Sequence, residues 1–173
     1  MILDAFLAFD TSTLITASGT TQASTNIIDL GGPGLPVLAS GQGARDIGIG
    51  DDPAMKILVV VTVAASSGTS MSVSLQGSAD DGTGAPLSWA TYYITPVYTT
   101  AQLVQGARLM DMDMPRPPDA IPIPRFLRML YTTVSTCNPT VEAFLVLDRN
   151  DQYYSSTVNS RSGGYPAGIY ITN

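Results

Sequence analysis

A run of ten residues at 55–64, MKILVVVTVA, constrains the fold more than any other part of this chain. Apolar side chains occupy both of its faces, which predicts a central strand covered on both sides. The segment at 71–78, MSVSLQGS, alternates strictly. That alternation predicts apolar residues facing a core, with Ser72, Ser74 and Gln76 facing water. The SSGTS turn between the two segments predicts that they pair as a hairpin.

Strand patterns recur along the rest of the chain. Pro96 predicts that the strand containing it ends at an edge or a bulge. The proline-rich stretch 115–124 is typical of extended chain outside a sheet, and one helical turn is expected at 101–105. About eight short strands separated by turn signals predict an all-β fold, a jelly-roll or Greek-key β-sandwich with extended N- and C-terminal arms. The further predicted strands are 25–30, one within 45–53, 89–98, 107–114, 126–134 and 141–147.

Three regions differ in character. Residues 1–24 place apolar anchors in a Ser/Thr-rich stretch, which favours an N-terminal arm laid along another surface. Residues 25–148 hold the strand patterns and form the predicted sandwich domain. Residues 149–173 are polar, rich in Gly and Ser, and dotted with tyrosine, which predicts a C-terminal arm that becomes ordered on a partner.

The composition removes most catalytic chemistry. The chain has no histidine, one cysteine, one lysine and one glutamate. No Ser-His-Asp or Cys-His arrangement and no ordinary zinc site can be built from these residues, so we expect a non-enzymatic protein without a cofactor. The net charge of −6 and the scattered arginines disfavour nucleic acid as a partner.

Neither a membrane span nor a secretory signal is expected. No apolar stretch approaches the length needed to cross a bilayer. The first residues carry Asp4 and Asp10 and lack a basic region, so they do not resemble a signal peptide. Cys137 has no partner within the chain for a disulfide and no basic neighbour to activate it as a nucleophile. We therefore expect a protein made in the cytosol.

Pairs of aspartates are the remaining candidates for a polar site. Asp80 and Asp81 precede Gly-Thr-Gly, and the pattern favours a turn over a calcium loop because the alternating ligands and closing glutamate are missing. The pair at 51–52 before Pro53 is likewise predicted to be a turn. Asp111 and Asp113 share a strand face, which favours a solvated face or ion pairs with a partner's arginines over a glycosidase pair.

Aromatic residues suggest two kinds of contact. Trp89, Tyr92 and Tyr93, together with Asp80 or Asp81, are candidates for a carbohydrate-binding face, although core packing is favoured for aromatics in strands. Apolar and aromatic residues in the two arms have no core of their own and are candidates for partner contacts. These predicted contact residues are Ile2, Leu3, Phe6, Phe9, Tyr153, Tyr154, Tyr165 and Tyr170.

Several segments, taken in order, resemble the capsid cement (decoration) proteins of tailed phages, in particular the group typified by the Bordetella phage cement protein. The resemblance runs from residue 1 to about residue 148. It departs at 31–43, which resembles an insertion, and at 149–173, which is longer than the family core. The segments that carry it are MILDAFLAFD, TNIIDLG, RDIGIGDDP with the strand after it, MSVSLQGSADD, RFLRMLYTTV and VEAFLVLD.

This resemblance implies a jelly-roll-like sandwich on the outer surface of an icosahedral capsid. It implies self-association, most simply as a homodimer or else a trimer, and bridging of neighbouring major capsid subunits. Two alternatives stay open at this point. One is a carbohydrate-binding adhesion module on the virion surface, and the other is a head–tail connector component.

Overall fold

The computed structural model describes residues 7–31, 55–115 and 124–146, together with the backbone of two short strands at 153–154 and 161–162. The described residues form two larger antiparallel β-sheets and a separate two-stranded one, and their helical structure includes a 3-10 turn, Thr100–Gln102. The predicted all-β class is confirmed.

The first sheet has four strands in the order β1-β10-β4-β8. Every neighbouring pair in it is antiparallel, and bulges interrupt the register on both sides of Asp10. Its strands are β1 (Ala8–Leu14), β4 (Lys56–Val63), β8 (Arg108–Asp113) and β10 (Thr140–Val146).

The second sheet has six strands in the order β2-β9-β5-β6, with β3 also paired to β9 and β7 also paired to β5. The break between β6 and β7 contains Pro96, where a strand end was predicted. Near the C-terminus, β11 (Tyr153–Tyr154) pairs with β12 (Arg161–Ser162). The strands of the six-stranded sheet are β2 (Thr21–Ala23), β3 (Ile28–Asp29), β5 (Ser70–Ser78), β6 (Ala90–Ile94), β7 (Tyr98–Thr99) and β9 (Phe126–Val134).

The strand order is that of a jelly roll. The chain moves back and forth between the sheets, so that the early strands β1 and β2 pair with the late strands β10 and β9. The predicted hairpin of β4 and β5 is wrong, because these strands lie in different sheets. The turn between them crosses from one sheet to the other.

The core lies between the sheets, and β4 shows why its sequence is apolar on both faces. Ile57, Val59 and Val61 point inward and are fully buried. Leu58 and Val60 point outward, yet they are also buried and belong to a second, smaller cluster. The prediction of a central strand covered on both sides is therefore confirmed.

The alternating sequence of β5 predicts correctly which side chains face the core, but not how exposed the other side chains are. Met71, Val73 and Leu75 are fully buried in the core, as predicted. Ser72, Ser74 and Gln76 point outward but are only 7%, 3% and 8% exposed, so the prediction that they face water is wrong. The two serines are short side chains on a middle strand, and the larger side chains of β9 stand beside them.

The described part of the predicted N-terminal arm lies within the sandwich. Residues 8–14 form β1 and residues 21–23 form β2, which differs from the expected extended segment. Phe9 is completely buried in the core. The predicted strand at 25–30 is reduced to Ile28–Asp29. Residues 1–6, and the side chains of 149–173, lie outside the described residues.

The two ends of the four-stranded sheet differ in the chain segments that join them. At one end, Lys56 at the start of β4 is level with Val146 at the end of β10 and Asp113 at the end of β8. β1 begins at the same end, because Ala8 is level with Phe144. The stretches outside the described residues therefore all join this sheet at one end. They are residues 1–6, 32–54, 116–123 and 147–173, apart from the short strands β11 and β12.

Candidate functional site

The three aromatic residues proposed for carbohydrate binding do not form one platform. Tyr92 and Tyr93 pack against the core, and the ring of Tyr92 lies where a β-carbon on Gly77 would be, 2.5 Å from it. Trp89 lies on the outer face of the sheet, stacked on the guanidinium of Arg128 at 4.1 Å from the ring centroid. Because the tyrosines and the tryptophan occupy opposite faces, they cannot contact one sugar together.

The polar groups next to Trp89 are bound to each other. The Nε of Arg128 donates to the Gln76 side-chain oxygen at 2.9 Å, and the Gln76 amide donates to the Thr91 hydroxyl at 3.2 Å. Burial lowers the pKa of the Arg128 guanidinium. The network fixes the position of the tryptophan stack at one end of this face.

The Asp80–Asp81 segment is a turn, as predicted. Asp80 accepts from the backbone amides of Gly82 and Gly84, and these bonds lower the pKa of its carboxyl group. Arg125 also bonds to Asp80, and it bonds to both carboxylate oxygens of Asp29 at 3.0 and 3.1 Å. Hydrogen bonding to Asp29 is the largest cause that raises the Arg125 pKa. The cluster ties the turn to β3 and to the start of β9.

Asp111 and Asp113 also have partners within the chain. Arg108 lies 2.7 Å from Asp111, and Lys56 lies 2.5 Å from Asp113. Among the residues that the structure describes, no group of three or more His, Cys, Asp or Glu side chains is placed to hold a metal ion. The aspartates at 51–52 lie outside the described residues.

Cys137 is fully buried beside the turn that joins β9 to β10. Burial raises the pKa of its thiol, so the reactive thiolate form is disfavoured. Its environment is that of a small apolar core residue.

A buried polar hub at Asp10 was not found by sequence reasoning. Asp10 is 0% exposed and accepts hydrogen bonds from the Tyr131 hydroxyl at 2.6 Å, the Thr13 hydroxyl at 2.7 Å and the Thr25 amide at 2.8 Å. Burial, and then the nearby carboxylate, raise the pKa of Tyr131 well above its usual value. The hub links β1 of one sheet to β9 of the other. The signal for this hub in the sequence was the aspartate at position 10, directly after an apolar stretch.

The structure describes three of the eight predicted contact residues, Phe9, Tyr153 and Tyr154. Phe9 is in the core and is not available to a partner in this conformation. Tyr153 and Tyr154 are described as backbone only, in β11. The other predicted contact residues lie outside the described part of the chain: Ile2, Leu3, Phe6, Tyr165 and Tyr170.

The outward faces of the two sheets differ in how much apolar surface they leave exposed to solvent. On the four-stranded sheet, five apolar side chains form the second cluster and are only 1–7% exposed. This face is therefore already buried within the chain. Its residues are Ala8, Leu58, Val60, Phe144 and Val146.

Part of the outward surface of the six-stranded sheet, next to the Trp89–Arg128 stack, carries no charged side chain, and we call this part the uncharged face. Its serines come from β5, and its larger side chains come from the strands on either side. Ile94 and Val134 are 58% and 55% exposed. Val97, 63% exposed, borders it, because Tyr98, the next residue, packs on the core side. The uncharged face comprises Thr21, Ala23, Ser70, Ser72, Ser74, Ile94, Thr99, Leu130, Thr132 and Val134.

The fold places this protein in the class of all-β jelly rolls, and its candidate functional sites are surfaces of the sheets. Comparison with protein families is more specific. The family model Bbp16 matches residues 9–147, and the chain belongs to this family, whose name is that of a Bordetella phage protein. No curated protein matches the chain. Within the described ranges, no helix is long and apolar enough to span a bilayer.

Proposed function

We propose that this protein is a structural component of a phage virion that binds the outer surface of an icosahedral capsid and stabilises it by bridging major capsid subunits. The observation that carries the proposal is the family match over residues 9–147, which covers all of the sandwich except Ala8. The resemblance of the strand segments to cement proteins supports the more specific role.

The architecture suits this role. A closed jelly roll supplies a rigid body, and four stretches of chain join its four-stranded sheet at one end. Bridging needs contacts to more than one subunit, and several modest contacts on one body raise avidity without requiring any of them to be tight. The proposal includes self-association as a homodimer or trimer, synthesis in the host cytoplasm, and no contact with nucleic acid.

The test is co-sedimentation of the full chain with undecorated capsid shells, with the melting of the shells followed in parallel. Saturable binding at a fixed number of copies per shell, with a higher shell melting temperature, is the expected result. A head–tail connector would bind in about a dozen copies or fewer. Absence of binding under conditions where the protein remains folded would overturn the proposal.

A truncated chain ending at residue 148 tests the C-terminal segment. We expect weaker shell binding with nearly unchanged unfolding of the sandwich, because the described strands of both sheets end at Val146 or earlier. Binding equal to that of the full chain would remove the segment from the contact surface.

A further inference from the structure

We propose that two copies of this protein associate through one end of the sandwich, with the same end of each copy forming the contact. This end is built by the connections 15–20, 64–69, 100–107 and 135–139, and we call it the turn end. The inference rests on the proposed function, which includes self-association, and adds to it the surface that the two copies share.

The turn end lies opposite the end at which the undescribed stretches join the four-stranded sheet. Thr140, the first residue of β10, is level with Leu14 at the end of β1 and with Val63 at the end of β4. In the six-stranded sheet, Ser70 at the start of β5 is level with Val134 at the end of β9. Both sheets therefore end here, and the four connections close the sandwich.

The connections of the turn end, and the strand residues next to them, carry no charge. Asp, Glu, Lys and Arg are absent from residues 11–23, 62–70, 95–107 and 129–141. Arg108, which directly follows one of these ranges, is paired with Asp111 at 2.7 Å. Two copies that meet at this end therefore bury no unpaired charge from these ranges.

Hydrogen bonds join the four connections into one surface. The Ser66 amide donates to the Asn138 side-chain oxygen at 3.0 Å, and the Thr100 hydroxyl donates to a backbone oxygen of the β4–β5 connection at 2.7 Å. The hydroxyls of Thr136 and Ser18 are hydrogen bonded at 2.9 Å. A surface that is already fixed loses little conformational freedom when it binds, which favours association.

The turn end also exposes apolar side chains. Four aliphatic residues at this end are 51–58% exposed: Leu14, Val63, Val104 and Val134. Exposed apolar residues that share one part of a surface mark interaction sites. Together with the absence of charge, they give the turn end the composition of an interface core.

The distribution of charge favours a second copy as the occupant. In a twofold contact a surface meets itself, so a charge near the axis meets a like charge, and the turn end avoids this. The ion pairs Lys56–Asp113 and Arg125–Asp29 lie at the opposite end. That end is about 30 Å away along the nine residues of β5, so the charged ends of the two copies lie about 60 Å apart, several Debye lengths.

The same arrangement suits the bridging of capsid subunits. The undescribed stretches join the four-stranded sheet at the end away from the contact. In the dimer they therefore start at its two extremities, from which they can reach different subunits. Contact between the turn end and the shell would instead place the start of these stretches on the side that faces away from the shell.

The size of the contact predicts a weak dimer. The six-stranded sheet is four strands wide along its main path, and two packed sheets with their side chains are about 20 Å deep, so each end offers roughly 400 Å². Two such ends bury about 800–1,000 Å², at the low end for specific contacts, which favours a dissociation constant of about 10–100 μM. Copies held next to each other on a shell associate more readily, because their effective concentration is higher.

Sedimentation velocity of the full chain, from about 1 to 500 μM, tests the dimer without any shell. Val63→Asp and Val104→Asp place like charges in the contact. Leu87→Asp is the matched control, since this residue is 65% exposed and its amide bonds to Ala79 near the charged end. All three positions are exposed, so we expect the variants to fold, which circular dichroism and thermal melting will check.

We expect the wild type and Leu87→Asp to dimerise with dissociation constants within twofold, and each turn-end variant to dimerise at least tenfold more weakly. A wild type that stays monomeric throughout, or turn-end variants that dimerise like the wild type, overturn the inference. A trimer in sedimentation equilibrium overturns the twofold contact. Co-sedimentation with shells decides the capsid role separately, and turn-end variants of a monomeric wild type that lose shell binding assign this end to the shell and overturn the inference.

Discussion

Removing a single oxygen atom from the core tests the buried hub. In Tyr131→Phe the ring keeps its packing, but Oδ2 of Asp10 loses the donor 2.6 Å away, while the donors from Thr13 and Thr25 both serve Oδ1. Hydrogen bonds to charged groups contribute about 1.5–3 kcal/mol, and Asp10 has no access to water that could replace the donor. We therefore expect the free energy of unfolding to fall by about 2–3 kcal/mol.

Tyr98→Phe is the matched control. Its hydroxyl donates to the carbonyl oxygen of Leu109 at 2.8 Å, a neutral acceptor, in a partly buried position. Loss of such a bond costs about 1 kcal/mol. Both variants remove the same atom from the same residue type, so the difference between them isolates the effect of the buried carboxylate.

Urea denaturation and differential scanning calorimetry measure the effect. For a chain of this length, each kcal/mol lowers the melting temperature by about 2–4 °C, so Tyr131→Phe should melt about 4–12 °C below the wild type. If Tyr131→Phe and Tyr98→Phe are destabilised equally, within about 0.5 kcal/mol, the argument that Asp10 is a charged acceptor dependent on Tyr131 is refuted.

Three further predictions follow from buried or strained positions. Gly68→Ala should lower the free energy of unfolding in urea by at least about 2 kcal/mol more than Gly82→Ala does. Both glycines have φ near +90°, but a β-carbon on Gly68 would lie 2.6 Å from the Cys137 amide nitrogen, whereas one on Gly82 would meet open space. Equal losses of stability would refute this clash. Tyr131 keeps its proton longer in the folded state, so its contribution to stability is complete below pH 10.0 and is lost as the pH rises through its higher folded pKa. The alkaline loss, up to about 1.4 kcal/mol per pH unit, should be smaller in Tyr131→Phe, and an unchanged slope would contradict this. Cys137 should react with a thiol reagent only after unfolding, and rapid labelling of the native protein would show that it is accessible.

The sequence predicted the layers of the fold better than its strand pairing. The apolar run at 55–64 identified a central strand because burial on both faces leaves a local pattern. The partner of that strand left no such pattern, and proximity in sequence wrongly suggested a hairpin with β5. In a jelly roll the pairing of β4 with β10 and β8 depends on the path of the whole chain.

Site prediction failed for related reasons. Phe9 was interpreted as a contact residue because it lies in a stretch rich in Ser and Thr, but β1 is an edge strand and needs few apolar residues to pack. The hub at Asp10 was missed because two of its three donors, Thr25 and Tyr131, are distant from it in sequence. Ile94 and Val134 are exposed partly because short serines of β5 are paired with them in the sheet. A single sequence does not show which strands pair.

The pairing of β1 with β10 sets the order in which the molecule can be completed. Leu14 lies opposite Thr140, so β1, which is synthesised before the other described strands, must wait for β10, the last strand of its sheet. At about 5–20 residues per second this delay is on the order of ten seconds, during which β1 and β4 both lack the strand that lies between them. Contacts so distant in sequence also predict slow folding of the finished chain. We therefore expect nascent chains released before residue 146 to aggregate or be degraded, because β10 can pair with β1 and β4 only once it is complete.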